Sequence, residues 1–225
     1  MEQINKFNVY DDKRSRRCIY TKNLTPGKSF FNEELIREQG TEFRSWDATR
    51  SKLGAAIKKG ISQIGLKEGD FVLYLGASHG FTPSYVSDIV GGSGFVFCLD
   101  VAPRVVRDLI FVCEERRNMA PLLRDANHPE SYKELITKQV DVVYQDIAQR
   151  NQLGIFIKNC DAYLKKGGFG LLALKARSID VAEKPRIIFA QVKRELEQSS
   201  SVTLVDYKEL DPFERDHAFY VCKKK

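Results

Sequence analysis

The chain has few of the residues that mark metal centres, disulfide frameworks or membrane spans. Its 225 residues include three histidines, two methionines and one tryptophan. The five cysteines, Cys18, Cys98, Cys113, Cys160 and Cys222, form no C-x-x-C pair. No histidine stands at ligand spacing from them, which argues against a zinc site. Cys98 and Cys222 lie inside apolar, strand-like runs, so the cysteines read as free thiols in a reducing cytosol or nucleus. No apolar run approaches the ~20 residues needed to cross a bilayer. Met1 to Tyr10 is mixed polar without an apolar h-region, so a signal peptide is not expected. Internal repeats, low-complexity tracts and a Gly/Arg-rich tail are all missing.

What is present suits one large α/β domain with a small appendage. Hydrophobic residues make up 43% of the chain and charged residues 29%, enough for a proper core under an ordinary polar surface. The net charge is +6 and the pI about 9.0. That excess points weakly to a polyanionic or acidic partner.

The most informative stretch is Phe71-Val-Leu-Tyr-Leu-Gly76-Ala-Ser-His-Gly80-Phe-Thr82, taken with Asp100. An apolar run suited to a buried parallel strand ends at Gly76, and Gly80 precedes a helix-like segment. A second run, Gly94-Phe-Val-Phe-Cys-Leu-Asp100, ends on a carboxylate. Strand, glycine turn, helix, strand and acid together describe a nucleoside cradle. The turn lets backbone approach a ligand, and the acid accepts from two ribose hydroxyls. The turn is not G-x-G-x-x-G, which disfavours a dinucleotide. S-adenosylmethionine (SAM) uses the same cradle without a pyrophosphate.

Residues 1–50 differ from the rest. Phe7–Tyr10, Arg17–Thr21 and Glu42–Trp46 are short aromatic or β-branched runs, and they predict a small antiparallel β subdomain. Thr25-Pro26-Gly27 reads as a turn. Asp47 caps a predicted helix over 48–64, with Leu53, Ala56, Ile57, Ile61 and Ile64 on one face. Residues 51–225 then alternate. Strands are expected at 71–75, 94–100, 119–124, 140–145 and 169–176, and helices at about 82–90, 103–117, 129–137, 150–165 and 184–198. Strands at 202–209 and 216–223 close the chain as a hairpin. The alternation predicts an α/β, Rossmann-like fold: a seven-stranded, mostly parallel sheet with its last strand antiparallel. This is the layout of SAM-dependent methyltransferases.

Ligands in such sheets sit beyond the carboxyl ends of the strands. Those ends carry Gly76 to Thr82 (with Ala77, Gly80 and Phe81), Asp100-Val101, Asp125-Ala126, Asp146-Ile147-Ala148-Gln149, Lys175 and His217. Asp125 is placed to accept an adenine amino group, with the Ala126 N–H meeting the ring. Phe81 and Thr82 open a helix whose free N–H groups suit a carboxylate. Lys175 ends an apolar strand, so desolvation is expected to lower its pKa and Asp146 beside it to raise it. The pair reads either as a buried ion pair or as a group that positions or deprotonates a hydroxyl.

Several segments together resemble the fibrillarin family. Gly76-Ala-Ser-His-Gly-Phe-Thr-Pro-Ser-Tyr-Val-Ser-Asp88-Ile-Val90 is similar to the family motif, whose turn usually reads Gly-Ala-Ala-Ser-Gly-Thr-Thr. Lys22-Asn-Leu-Thr-Pro-Gly27, Arg50-Ser-Lys-Leu-Gly-Ala-Ala-Ile57, Asp146–Gln149, Lys175-Ala-Arg-Ser-Ile-Asp180 and Glu214-Arg-Asp-His-Ala218 agree in order and spacing. The match is to the short, archaeal-type form. The resemblance implies transfer of a methyl group from SAM to ribose 2′-hydroxyls of rRNA or tRNA. It implies a Lys-Asp-Lys-His active site on Lys52, Asp146, Lys175 and His217, and no metal. Without it, Lys52 reads as a solvated cation and His217 as a satisfied core histidine. The implied setting is a box C/D ribonucleoprotein with a guide RNA, a Nop-type scaffold protein and a kink-turn-binding, ribosomal-protein-like subunit. A cytoplasmic location follows, or a nucleolar one if the chain is eukaryotic.

His79 and Phe81 replace smaller residues in the turn, Asp100 stands where Glu is usual, and Arg150 where Pro is usual. The Phe81 ring is bulky enough to narrow the pocket. Two rivals remain at this point: a non-catalytic ribonucleoprotein subunit that keeps the fold, and an NAD-dependent oxidoreductase.

Overall fold

The computed structural model describes residues 1–4, 7–12 and 15–225. Its N-terminal part is an antiparallel sheet of β1 (Glu2–Ile4), β2 (Val9–Asp11), β3 (Cys18–Lys22), β4 (Leu35–Glu38) and β5 (Thr41–Asp47), ordered β1-β2-β3-β5-β4. The outer strands β1 and β4 carry too few apolar residues to announce themselves. A 3₁₀ turn, Ala48–Arg50, leads into α1 (Lys52–Lys58). Next come β6 (Phe71–Leu75), α2 (Phe81–Val90), β7 (Phe95–Asp100), α3 (Pro103–Glu115), β8 (Met119–Leu123) and β9 (Val140–Gln145). The chain ends with α4 (Gln152–Tyr163), β10 (Leu164–Lys175), α5 (Ala176–Ile179), α6 (Pro185–Glu197), β11 (Val202–Glu209) and β12 (His217–Lys224).

The large sheet runs β11-β12-β10-β9-β6-β7-β8. Its strands are parallel except β12, which pairs antiparallel with both β10 and β11. From β6 the chain winds outward through β7 and β8, then returns to lay β9 on the other side. That reversal opens a crevice above β6 and β9, the usual place for a ligand. Side chains alternate across the strands. Val72, Tyr74, Val142 and Tyr144 face α1, α2, α3 and the N-terminal sheet, while Leu73, Leu75 and Val143 face α4 and α6.

Two expected helices differ. The 48–64 segment is not continuous, because Ser51 is extended (φ −153°) and caps α1 by accepting the Gly54 N–H at 3.2 Å. Helix α1 stops at Lys58, and Gly60 takes a φ of +72°. The 129–137 segment holds only a 3₁₀ turn, Pro129–Tyr132. All five cysteines are free thiols.

A buried charge network fastens the N-terminal sheet to the larger one. Asp88 of α2 accepts from Arg44 of β5 at 2.9 Å and from Arg116 at 2.8 Å. It also takes the Thr21 hydroxyl at 2.7 Å and the Leu24 N–H at 3.0 Å. Glu33 pairs with Arg44 at 2.6 Å, and Trp46 stacks on Tyr85 with centroids 4.7 Å apart. The network fixes the end of β5. Asp47 there caps the 3₁₀ turn through the Thr49 N–H at 2.9 Å, so the N-terminal sheet sets where Lys52 stands.

Candidate active site

The glycine turn after β6 lies against the chain leaving β9. Gly76 has a φ of +85°. A Cβ there would meet the Asp146 carbonyl oxygen at 2.2 Å, so only glycine allows this approach. The Gly76 and Ala77 N–H groups donate to the Leu99 carbonyl at 2.8 and 3.0 Å. Ser78, which sequence reasoning passed over, donates its N–H to Asp100 Oδ2 at 2.8 Å. The Ala102 N–H donates to Asp100 Oδ1 at 3.0 Å. The carboxylate is thus held from both sides at the end of β7.

A cleft of about 230 Å³ opens here. Its walls are Gly76, Ser78, Leu99, Asp100, Val101, Asp125, Ala126, Asp146, Ile147, Ala148 and Gln149. The Asp125 carboxyl is held below its usual range because it accepts the N–H and side-chain amide of Asn127, each at 2.9 Å. That amide also donates to Gln149 Oε1 at 2.9 Å, joining the loops after β8 and β9.

Ala77, Gly80, Phe81 and Thr82 do not form the cleft walls. Ala77 is buried behind the turn. Gly80, at a φ of +92°, starts α2 and offers no side-chain cap, so the first-turn N–H groups of α2 have no capping side chain. Thr82 donates its hydroxyl to Ser51 at 3.0 Å, linking the starts of α2 and α1. The Phe81 ring packs edge-on against Phe31 and Tyr85, with centroids 5.3 Å from each, under the Arg50 guanidinium at 4.3 Å. It does not narrow the pocket, contrary to the expectation from its size. His79 sits on the surface, 3.6 Å from Asp108.

A polar cluster adjoins the cleft through Asp146. Lys52 Nζ lies 3.3 Å from Asp146 Oδ1, with both side chains partly buried. Lys175 faces His217 in the β10–β12 register. The buried Gln152 side chain grips the Lys175 backbone, accepting its N–H and donating to its carbonyl, both at 3.0 Å. Two sequence expectations change. The Lys175 side chain is exposed, because burial of β10 ends at Leu174. The ion pair of Asp146 is with Lys52, not Lys175.

His217 Nδ1 is 2.6 Å from the Arg215 carbonyl oxygen. A carbonyl only accepts, so Nδ1 carries a proton and Nε2 of the neutral ring is an acceptor. Burial lowers the imidazole pKa; Lys52 and Lys175 add to this, against the Arg215 carbonyl and Asp146. Glu214, to which sequence reasoning gave no role, places Oε2 3.9 Å from His217 Nδ1. Its sequence signal is its place at the head of Glu214-Arg-Asp-His-Ala218, three residues before the histidine.

The family profile described as Fibrillarin matches residues 1–225. The chain belongs to the fibrillarin family. It is 47% identical over 218 residues to a fibrillarin-like rRNA/tRNA 2′-O-methyltransferase of Pyrococcus horikoshii, covering 97% of this chain and 94% of that one. A structure of Aeropyrum pernix fibrillarin with natively bound S-adenosyl-L-methionine superposes with a TM-score of 0.83 at 43% identity, covering 91% and 88%. The fibrillarin in a fibrillarin/Nop5p complex gives 0.86 at 34% identity, covering 97% and 98%. The fold expected from the alternation of strands and helices is the one found.

Proposed function

We propose that this chain is a SAM-dependent rRNA/tRNA 2′-O-methyltransferase and that it works as the catalytic subunit of a guide-RNA-directed box C/D ribonucleoprotein. One observation carries the reading. The cleft over the β6/β9 reversal, walled by Gly76, Asp100, Asp125 and Asp146, shares Asp146 with the polar cluster, where it pairs with Lys52 at 3.3 Å near the Lys175–His217 strand pair.

The residues present fit the cofactor. The glycine turn at Gly76 brings bare backbone to the cleft wall beside Asp100, Asp125 and Asp146. Asp100 meets the ribose hydroxyls; Asp125 takes the adenine amino group and the Ala126 N–H meets the ring. The uncapped start of α2 suits the methionyl carboxylate. When bound, SAM supplies a methyl group on a sulfonium sulfur, activated for transfer to oxygen.

This chain's own part is positioning and proton removal. Lys175, on the exposed rim, orients the ribose 2′-hydroxyl. His217 Nε2 accepts the hydroxyl proton, since the ring is neutral and Nδ1 is already committed to Arg215. Asp146 holds Lys52 beside the same point. The net charge of +6 suits contact with an RNA backbone, which carries no sequence information by itself. Site choice therefore falls to the guide RNA, with a Nop-type scaffold and a kink-turn-binding subunit completing the particle.

Calorimetry with SAM and with NAD separates this reading from an oxidoreductase: SAM is expected to bind and NAD not. Methylation assays with and without scaffold and guide test the assembly. Efficient, site-specific methylation by the chain alone would overturn the assignment of specificity to the partners.

A further inference from the structure

Lys52 is the first residue of α1, and the ends of a helix are where it frays. Helix α1 has only seven residues, Lys52–Lys58, too few to be stable alone. What holds its start therefore holds the Lys52 ammonium beside Asp146. Two neighbouring contacts do this, and both reach the first turn of α2. The Arg50 guanidinium lies over the Phe81 ring, 4.3 Å from its centroid. Ser51 Oγ accepts the Thr82 hydroxyl at 3.0 Å and the Gly54 N–H at 3.2 Å. Ser51 is 1% exposed and Thr82 7%, so bulk water does not compete for this hydrogen bond. The contacts close a ring around the glycine turn. On one side the Asp146 N–H donates to the Leu75 carbonyl at 2.8 Å. On the other, Thr82 holds Ser51. Lys52 Nζ, 3.3 Å from Asp146 Oδ1, joins the two sides.

We propose that Ser51 is a positioning residue of this site: its hydrogen bond with Thr82 ties Lys52 to the glycine turn, so that the ammonium and the cofactor bound over the turn keep one geometry. The purpose of the tie rests on the methyltransferase reading; the contacts that form it do not. A cap for α1 alone would need only the Gly54 N–H. The Thr82 hydroxyl is a second partner, and it comes from the start of a different helix. It fixes the Ser51 side chain, which in turn fixes the first turn of α1. Ser51 touches neither substrate nor cofactor; it acts through Lys52. A misplacement of about 1 Å in a group of this kind is enough to slow a reaction without loosening substrate binding.

A double-mutant cycle in the assembled particle tests this. On guide-paired RNA, Ser51→Ala should lower kcat about tenfold, with the KM for RNA and the SAM affinity unchanged. A general weakening of the fold would not give that split. In the Lys52→Ala background, Ser51→Ala should cause no further loss, because the group it positions is already gone. An unchanged kcat in Ser51→Ala, or the same tenfold loss repeated in the Lys52→Ala background, would overturn the proposal. If Ser51→Ala does not fold, Ser51→Gly takes its place, since glycine caps a helix nearly as well as serine and carries no hydroxyl.

A second measurement needs no activity. Hydrogen exchange of the Gly54 amide is followed by NMR on the full chain, without SAM or RNA. Thr82→Val removes the hydroxyl that holds Ser51 and keeps the size of the side chain. The Gly54 amide, whose acceptor is Ser51 Oγ, should then exchange about fivefold faster. Exchange at the wild-type rate would equally overturn the tie. Failure of the wild type to methylate RNA would remove the proposed function, and the Gly54 exchange would still judge the Ser51–Thr82 link separately.

Discussion

Lys52 Nζ stands 3.3 Å from Asp146 Oδ1, and this pair joins the first residue of α1 to the end of β9 at the mouth of the cleft. Partly open to solvent, it contributes little to stability: pairs of this kind give about 0–1 kcal/mol. An interaction that weak is not needed to hold the fold. Lys52→Ala should leave the denaturation midpoint nearly unchanged and lower methyl transfer about 10–100-fold. Equal activity in the variant would make the pair incidental.

Asp100 is oriented by two backbone donors, from Ser78 and Ala102. Asp100→Ala should weaken SAM binding about ten- to a hundredfold, the loss of roughly 1.5–3 kcal/mol from a charge-assisted hydrogen bond. Calorimetry on the folded variant measures this directly. Unaltered affinity would take Asp100 out of the site.

Lys175 is exposed at the end of β10 while its backbone is clamped by Gln152. Lys175→Ala should preserve SAM affinity and reduce transfer about 10²-fold, the scale of a lost positioning contact. Lys175→Arg should not restore it, because the planar guanidinium has a different shape and donor geometry. Steady-state kinetics on guide-paired RNA distinguish these outcomes from a loss of binding.

With His217 as the proposed neutral base, activity should fall as acid protonates it. Burial and the two lysines lower its pKa from 6.5, which places the acid limb of the kcat profile below pH 6.5. The same shift bears on stability. The unfolded chain takes up the proton first, so the contribution is full above pH 6.5 and is lost as pH falls through the folded value. His217→Gln should cost about 10²–10⁴-fold in rate. An acid limb above pH 6.5 would assign the base to another group.

The buried network around Asp88 is the main electrostatic tie between the two sheets. Asp88→Ala leaves the Arg44 and Arg116 guanidiniums buried without their shared carboxylate and should cost about 3–5 kcal/mol in urea denaturation. Glu33 adds an acid sensitivity. Burial alone would raise its carboxyl, but Arg44 and backbone donors outweigh that and bring it down to about 2 from 4.5. Its stabilisation is complete above pH 4.5 and disappears as pH drops toward 2, on the order of 3 kcal/mol in all. Glu33→Gln should flatten that part of the pH–stability curve.

The parts legible in the sequence were those set locally. The strand read at 71–75 spans Phe71–Leu75, and the helix read at 103–117 spans Pro103–Glu115, since apolar periodicity and a proline at the helix start are properties of neighbouring residues. Asp100, Asp125 and Asp146 were legible because strand ends converge in any such sheet. What escaped depends on residues far apart in the chain. Lys52 and Asp146 are brought together only by the seating of the N-terminal sheet on α2. The exposure of Lys175 depends on what packs beyond the last apolar residue of β10, which a hydrophobic run does not encode. Ser51 broke the expected 48–64 helix by becoming a cap, a choice made by its contact with Thr82.

Methyl transfer to a ribose 2′-oxygen leaves a mark that alkaline hydrolysis reads out. Methyl-labelled SAM is incubated with this chain, a Nop-type scaffold, a kink-turn-binding subunit and a guide RNA paired to its target, and the RNA is then hydrolysed in alkali. A 2′-O-methyl group blocks cleavage at its own nucleotide. Label is expected in a single alkali-resistant dinucleotide at the guide-specified position, present with wild type and reduced about 10²-fold with Lys175→Ala. Label in alkali-sensitive mononucleotides, or no label with a SAM-binding protein, would contradict 2′-O-methyl transfer.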